Sequence, residues 1–171
     1  RLYDSFDEGT LSVAIKADGD GIACVKLYVL GDLSVEKYDR AKLLLEEFDI
    51  ELRDKEICEG SCNVKNPLLW SAEKPNLYEV KIIVKDTHGN ETEFISQLAG
   101  FRRFEMVDGL MKLNGKRIVF KGVNRHEFSS VSGRHVSEEE LRKDLRIMKQ
   151  NNINAIRTCH YPDTSLIYQL C

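Results

Sequence analysis

The sequence has no long apolar segment and no strong bias of charge. No run in its 171 residues approaches the roughly 18–20 apolar residues of a membrane-spanning helix, and the first residues lack the basic-then-apolar pattern of a secretion signal. Lysine and arginine number 25 against 28 aspartates and glutamates, spread over both halves, which gives a net charge of −3. We therefore expect neither a membrane nor a nucleic acid as a partner.

Cysteine occurs in an odd number and at irregular spacing. Five cysteines in a chain too long to need disulfide stapling predict free thiols in a reducing compartment, and hence a cytoplasmic location. Cys58 and Cys62 could close a small loop or supply half of a metal site. Since no second Cys or His pair has the spacing of zinc ligands, free thiols are favoured.

The first hundred residues alternate between apolar and polar side chains, as in half-buried strands. The alternating segments are 11–17, 24–30 and 79–86, whose apolar faces carry Leu11, Val13 and Ile15, then Val25, Leu27 and Val29, then Val80, Ile82 and Val84. Turn residues bound them at 18–21, at Gly31-Asp32 and at 86–90. Short strands without intervening helices predict an antiparallel β-sandwich of immunoglobulin-like size over residues 1–103.

A single tryptophan, Trp70, stands in the segment 68–80, ahead of a Pro-Asn turn and a strand. We expect the indole to fill the sandwich core, because a large apolar ring is most stable when buried. A platform on which a sugar ring stacks is the functional alternative.

From residue 104 onward the pattern changes to alternating strands and helices. Asn114-Gly115 is the strongest short signal for a hairpin, and a strand over 118–125 follows it. Ser137 and Glu140 have the spacing of a capping box, which predicts a helix over 137–152 with an apolar stripe of Leu141, Leu145 and Met148. A strand over 153–157 and a helix opening at 163–165 complete the start of a parallel α/β array.

Polar side chains follow both strands of this array. His126 follows the first strand and His160 follows the second, so both should project toward the open face at the carboxyl ends of the strands, where a barrel places its chemistry. Imidazoles there suit a hydroxylated ligand such as a sugar. Each histidine alone could simply bond a loop carbonyl, but two at equivalent positions favour a site. Arg157 keeps its charge at a strand end and should need a carboxylate partner.

Several blocks in this order resemble glycoside hydrolase family 2, in its β-galactosidase branch. They are WSAEKPNLY (70–78), GFRRFE (100–105), GVNRHE (122–127), MKQNNINAIR (148–157), RTCHYP (157–162) and YQLC (168–171). The resemblance implies a multidomain enzyme with a jelly-roll domain, an immunoglobulin-like sandwich and a TIM barrel. This chain would then be a fragment: the sandwich at 1–103, and the first two βα units of the (β/α)8 barrel at 104–171.

The same resemblance implies roles for three residues and an absence. His126 and His160 would hydrogen-bond sugar hydroxyls in a galactose pocket, and Arg157 would support the nucleophilic carboxylate. Retaining glycosidases need two carboxyl groups about 5–5.5 Å apart, and the family's two catalytic glutamates and its Mg²⁺ ligands match positions beyond Cys171. We expect the full-length enzyme to hydrolyse terminal β-D-galactosides with Mg²⁺, with Na⁺ as an open addition, and this chain alone to be inactive.

Some features leave other readings open. Glu127 adjoins His126 in an extended segment, so the two side chains should point apart. The loop 128–135 departs from the family pattern, which leaves His135 exposed, and Cys159 stands where serine is common, as a small buried thiol. β-Glucuronidase or β-mannosidase of the same family is the first alternative, and a structural or carbohydrate-binding sandwich module is the second. A homo-oligomeric full-length enzyme is also left open.

Overall fold

The chain forms two compact units, Arg1–Lys116 and Arg117–Cys171. The computed structural model describes residues 2–30 and 42–171, so the predicted Gly31-Asp32 turn lies outside the described residues. The predicted sandwich strands lie in the first unit, whereas both described helices, α1 (Glu138–Gln150) and α2 (Ser165–Leu170), lie in the second.

Two antiparallel sheets form the sandwich of the first unit. Its strands are β1 (Glu8–Lys16), β2 (Gly21–Leu30), β3 (Lys42–Leu52), β4 (Ile57–Lys65), β5 (Tyr78–Asp86) and β6 (Glu91–Ala99). β1 pairs with β4, and the second sheet has the order β3-β2-β5-β6. Because β5 lies beside β2 and not beside β4, which precedes it, the chain crosses between sheets as in an immunoglobulin-like Greek key. The predicted sandwich is confirmed.

The apolar faces predicted for β1, β2 and β5 line the core between the two sheets. Full burial of a side chain such as Leu27 contributes about 1.5–3 kcal/mol. The three side chains from β1 are half-buried and pack against that core. The buried core side chains of β2 and β5 are Ala23, Val25, Leu27, Tyr78, Val80 and Ile82.

Strand β4 carries unusually small residues on its core face. Cys58 and Cys62 pack against the core from β4, and all five cysteines are free thiols, as predicted. A Cβ atom on Gly60, between them, would lie 2.7 Å from Cγ1 of Ile50 and 2.9 Å from Cε2 of Phe48. The absence of a side chain at Gly60 therefore lets β3 approach β4 closely.

Tyr78, at the start of β5, ties the preceding segment to the core. Its ring is buried and meets Phe101 edge-on at 5.1 Å, and its hydroxyl accepts a 2.7 Å hydrogen bond from the backbone N–H of Leu68. A buried tyrosine near the start of a late sandwich strand, with its hydroxyl bonded to upstream backbone, is the tyrosine corner of immunoglobulin-like domains. Burial raises the pKa of this hydroxyl.

The prediction that Trp70 fills the sandwich core is wrong. Trp70 is half-buried and lies outside the buried core cluster. A Cβ atom on Gly100 would lie 3.1 Å from Cβ of Trp70 and 3.2 Å from its Cγ and Cδ1, and the guanidinium of Arg102 lies 4.6 Å from its ring centroid. The indole therefore packs against the segment that follows β6, and not within the core.

A three-stranded sheet with the order β7-β8-β9 follows the sandwich, formed by β7 (Phe104–Val107), β8 (Leu110–Leu113) and β9 (Lys116–Arg117). The predicted hairpin at Asn114-Gly115 is confirmed, with φ angles of 51° and 75° that suit a type I′ turn. The side chain of Asn114 also accepts from the N–H of Arg103 and donates to the carbonyl of Trp70. Within the first unit, these bonds tie the hairpin turn to the segments around Trp70 and Arg103.

The second unit contains two successive βα units. β10 (Gly122–Arg125) and β11 (Ala155–Thr158) pair in parallel, with Asn124 opposite Arg157. α1 begins at the predicted capping box, in which Ser137 and Glu140 bond each other's backbone N–H groups. The observed β-α-β-α order confirms the predicted start of a parallel array. No helix among the described residues is long and apolar enough to cross a bilayer.

The first strand of this unit is shorter than the predicted 118–125. The side chain of Asn154 accepts from the N–H of Lys121 and donates to the carbonyl of Val119. This amide replaces the ladder bonds there, so regular pairing begins only at Gly122.

Candidate functional site

The two-stranded sheet of the second unit has one face against helices and one face free of them. Arg125 points to the helix side, because its side chain reaches Asp144 on α1. Side chains alternate along a strand, so Asn124 and His126 project from the opposite face. Arg157, paired with Asn124, shares that face and is exposed. The polar residues predicted from the sequence therefore collect on the face away from the helices.

His126 and His160 converge beyond the carboxyl ends of β10 and β11. Their ring centroids are 5.7 Å apart, with an angle of 82° between the planes, and Tyr161 lies 6.2 Å from His126. Both histidines are exposed, which leaves their nitrogen atoms open to a ligand. The structure thus brings together the two histidines that the sequence singled out.

Arg157 occupies the same end of the sheet, without the carboxylate that its charge was expected to need. Within residues 117–171, all of them described, no carboxylate lies at ion-pair distance from Arg157. Its Nη1 lies 3.5 Å from Sγ of Cys159. Because the side chain is exposed, water solvates its charge, and a carboxylate from elsewhere could still reach it.

Arg125 is the charged residue that the sequence reasoning missed. Its side chain is only 5% exposed, and Nη1 lies 2.6 Å from Oδ2 of Asp163, whose own side chain is 2% exposed. Nε lies 3.3 Å from Oδ2 of Asp144, which is half-exposed. The guanidinium thus joins α1 to the loop that carries His160. Arg125 itself directly precedes His126 in the chain. A signal for this role was available in the sequence: side chains alternate along a strand, so residue 125 shares the helix-facing side with the apolar Val123.

Ser129 and Glu140 order the loop that follows β10. Ser129 is buried, and its hydroxyl donates a 2.6 Å hydrogen bond to Oε1 of Glu140. This bond, followed by those from Ser137, lowers the pKa of the Glu140 carboxyl. The guanidinium of Arg134 lies 5.8 Å from the ring of Tyr161, so the loop reaches the histidine pair, while His135 is exposed as predicted.

Cys159 is buried beside the exposed histidines, as predicted. The ligand atoms of His126, Cys159 and His160 all lie within 4.8 Å of one another. No other such group of three His, Cys, Asp or Glu residues occurs among the residues that the structure describes. Cys159 was not predicted to join the two histidines, because the cluster draws on segments more than thirty positions apart.

A second group of ionisable side chains lies in the sandwich unit, where β2 meets β3. Sγ of Cys24 lies 3.2 Å from Oε1 of Glu47, and Nζ of Lys26 lies 3.2 Å from the same oxygen. Burial first, and then the carboxylates of Glu47 and Asp49, raise the pKa of the Cys24 thiol to about 11. A thiol with so high a pKa is a poor nucleophile, so this group is no catalytic candidate.

Sequence models of one family match nearly the whole chain. The model described as "Glycosyl hydrolases family 2" matches residues 1–102, and "Glycosyl hydrolases family 2, TIM barrel domain" matches residues 104–171. The predicted fold class, a sandwich followed by the start of a barrel, agrees with both.

Curated relatives and solved structures point to two activities within that family. A β-galactosidase from Clostridium acetobutylicum is 42% identical over 99% of this chain, which spans 18% of that protein. One from Halalkalibacterium halodurans is 54% identical over 65% of this chain and 11% of its own length.

The structural comparisons give β-glucuronidases. The enzyme from Parabacteroides merdae matches with a TM-score of 0.81 at 27% identity, over 99% of this chain and 21% of its own. The one from Bifidobacterium dentium, at 19% identity and a TM-score of 0.84 over 100% of this chain and 27% of its own, shows the fold alone. With both sequence models and the order of the motifs in agreement, the chain belongs to glycosyl hydrolases family 2.

Proposed function

We propose that this chain supplies the sandwich and the opening βα units of a retaining β-galactosidase. One observation carries the proposal: two exposed histidines converge to 5.7 Å between ring centroids beyond the carboxyl ends of two parallel strands. This is the end at which barrels bind substrates. The identity of 42% with a β-galactosidase over almost the whole chain supports galactose as the sugar.

The proposed roles follow from the chemistry of each side chain. A neutral imidazole both donates and accepts hydrogen bonds, so His126 and His160 can each bond sugar hydroxyls. Such bonds accelerate hydrolysis only where they strengthen in the transition state. Arg157 lies on the same face and is free to meet the carboxylate nucleophile. The nucleophile and the acid/base group would come from other parts of the enzyme, so this chain alone should not cleave galactosides.

The Mg²⁺ expected for the whole enzyme does not fit the residues described here. Mg²⁺ takes oxygen ligands in near-octahedral geometry, whereas the cluster of the second unit offers two imidazoles and a thiol. Mg²⁺ and Na⁺ therefore stay predictions about the rest of the enzyme. We also propose a cytoplasmic location, where reducing conditions would keep the five free thiols reduced.

Substitution of the histidines in the full-length protein tests the proposal. We expect His126→Asn and His160→Asn each to lower kcat/KM for an aryl β-D-galactoside about 100-fold, equivalent to about 2.7 kcal/mol of transition-state binding. His135→Asn is the matched control, because His135 is exposed and belongs to the same unit. Equal kcat/KM in all three variants would show that the histidine pair does not bind the sugar.

β-Glucuronidase is the second candidate, favoured by the match to the Parabacteroides merdae enzyme at 27% identity. A glucuronidase would need a cationic side chain to recognise the carboxylate of the uronic acid. β-Mannosidase is the remaining alternative within the family. Aryl β-galactoside, β-glucuronide and β-mannoside assayed side by side would separate the three. We expect kcat/KM to be highest for the galactoside, and a higher value for the glucuronide would replace the proposal.

A further inference from the structure

We propose that His126, Cys159 and His160 form a Zn²⁺ site whose occupation excludes the sugar. Their ligand atoms lie within 4.8 Å of one another, and they come from the loops that follow two neighbouring strands. The metal site stands on this geometry alone. The competition with sugar rests in addition on the proposed function, since the same two imidazoles would bind the hydroxyls.

The donor set selects the metal. Two imidazole nitrogens and one thiolate suit Zn²⁺, which binds such ligands tetrahedrally, whereas Mg²⁺ and Ca²⁺ require oxygen. Three protein ligands leave the fourth position to water, as in zinc sites that are open to solvent. Both histidines are exposed, so that position faces the solvent side of the cluster.

The cluster needs only a small closure to coordinate the ion. Bonds of about 2.0–2.3 Å in a tetrahedron place neighbouring ligand atoms about 3.3–3.8 Å apart, compared with the present upper limit of 4.8 Å. Exposed imidazoles can close this gap by rotation of their side chains. Cys159 is 2% exposed and fixed by its surroundings, so it would provide the rigid ligand.

Charge and proton balance are also satisfied. The Cys159 thiol releases one proton to solvent when it becomes a thiolate ligand, and the two neutral imidazoles release none. The Nη1 atom of Arg157 lies 3.5 Å from Sγ, and its positive charge would repel a dication. Because Arg157 is exposed, its guanidinium can turn into water when the ion binds.

Titration of the full-length protein with ZnCl2, in excess MgCl2 to fill oxygen-ligand sites, tests the metal site. We expect the parent protein to bind one equivalent of Zn²⁺ at this site. The affinity for that ion should fall at least about 100-fold in Cys159→Ser and in His160→Asn, since even changes in outer-shell residues lower metal affinity 10–100-fold. Co²⁺ in place of Zn²⁺ should show thiolate-to-metal charge-transfer absorption that Cys159→Ser abolishes. Cys24→Ser is the matched control and should bind like the parent protein.

The two parts of the proposal fail separately. Unchanged zinc affinity in His160→Asn, an exposed position that does not threaten folding, would refute the metal site whatever the enzyme hydrolyses. If the site exists, Zn²⁺ should inhibit aryl β-galactoside hydrolysis competitively, and a chelator should reverse the inhibition. Zinc binding that leaves hydrolysis untouched would refute the exclusion of sugar, and with it the placement of the sugar at these histidines.

Discussion

Replacing Asp163 by asparagine should destabilise the second unit far more than the same change at Asp144. Both carboxylates contact the Arg125 guanidinium, at 2.6 Å and 3.3 Å respectively. Their surroundings differ, because the Asp163 side chain is 2% exposed and that of Asp144 is 45% exposed. The pair of substitutions therefore compares a buried with a half-exposed partner of one arginine.

The expected magnitudes follow from these distances and exposures. At 2.6 Å and an effective dielectric constant of about 20, the Coulomb attraction is roughly 6 kcal/mol, much of it offset by desolvation. Removal of one member of a buried pair leaves an uncompensated charge and costs about 3–5 kcal/mol. Asp163→Asn should destabilise the second unit by about 3 kcal/mol, at the low end of this range, since the amide oxygen still accepts a hydrogen bond from Arg125. Asp144→Asn should cost no more than about 1 kcal/mol, as for exposed pairs.

Hydrogen–deuterium exchange of the full-length protein measures the difference locally. At about 1.4 kcal/mol per factor of ten, Asp163→Asn should speed exchange of α1 amides about 100-fold and Asp144→Asn about fivefold. Peptides from the sandwich strands are the internal reference. The double replacement Arg125→Met with Asp163→Leu should recover most of the protection, because no buried charge remains. If both single substitutions speed exchange in α1 equally, or if exchange in the sandwich strands rises as much as in α1, the buried Arg125–Asp163 pair does not stabilise the second unit as argued.

Three further outcomes test the sandwich. Gly60→Ala should destabilise it by about 1–3 kcal/mol in urea unfolding, because the new methyl group would overlap Ile50; an unchanged midpoint would mean that the strands can separate without cost. Tyr78→Phe should destabilise the sandwich by about 1–3 kcal/mol in the same assay, since it removes the hydrogen-bond acceptor of the part-buried Leu68 N–H. An unchanged stability would show that the tyrosine corner does not stabilise the sandwich.

The third outcome concerns reactivity. With its pKa raised from 9.0 to about 11, the Cys24 thiol at pH 8 should hold about 100-fold less thiolate than an ordinary cysteine and alkylate correspondingly slowly. Glu47→Gln should speed the reaction by removing the acceptor carboxylate. If Cys24 of the parent protein is alkylated at the rate of an ordinary cysteine, burial and the two carboxylates do not raise the pKa of its thiol as described.

The sandwich strands that could be predicted are those with a clear alternation of large apolar and other residues. β1, β2 and β5 have that pattern, whereas β3 carries a run of leucines followed by acidic residues. β4 presents cysteines and a glycine to the core, so it lacks the large apolar side chains that mark a strand face, and β6 is largely exposed on both faces. Pairing with stronger neighbours determines the structure of these three strands, and a single sequence does not show such pairing.

In the candidate site, the positions were predictable and the contacts were not. The strand–helix–strand pattern places His126 and His160 at the same end of the sheet, because parallel strands share a direction. The buried role of Arg125 could not be read in the same way, since its two carboxylates are 19 and 38 positions away. The cluster with Cys159 likewise depends on how two loops bend.

The contiguity of the two units bears on how the chain folds during synthesis. Every strand of the sandwich, from β1 to β6, lies within Arg1–Lys116, so no segment after it is needed to complete its core. Domains fold as units, in general from the N-terminus onward, as the ribosome extends the chain. The sandwich can therefore be complete before the first barrel helix is translated, and a ribosome stalled within α1 should already carry a protease-resistant domain.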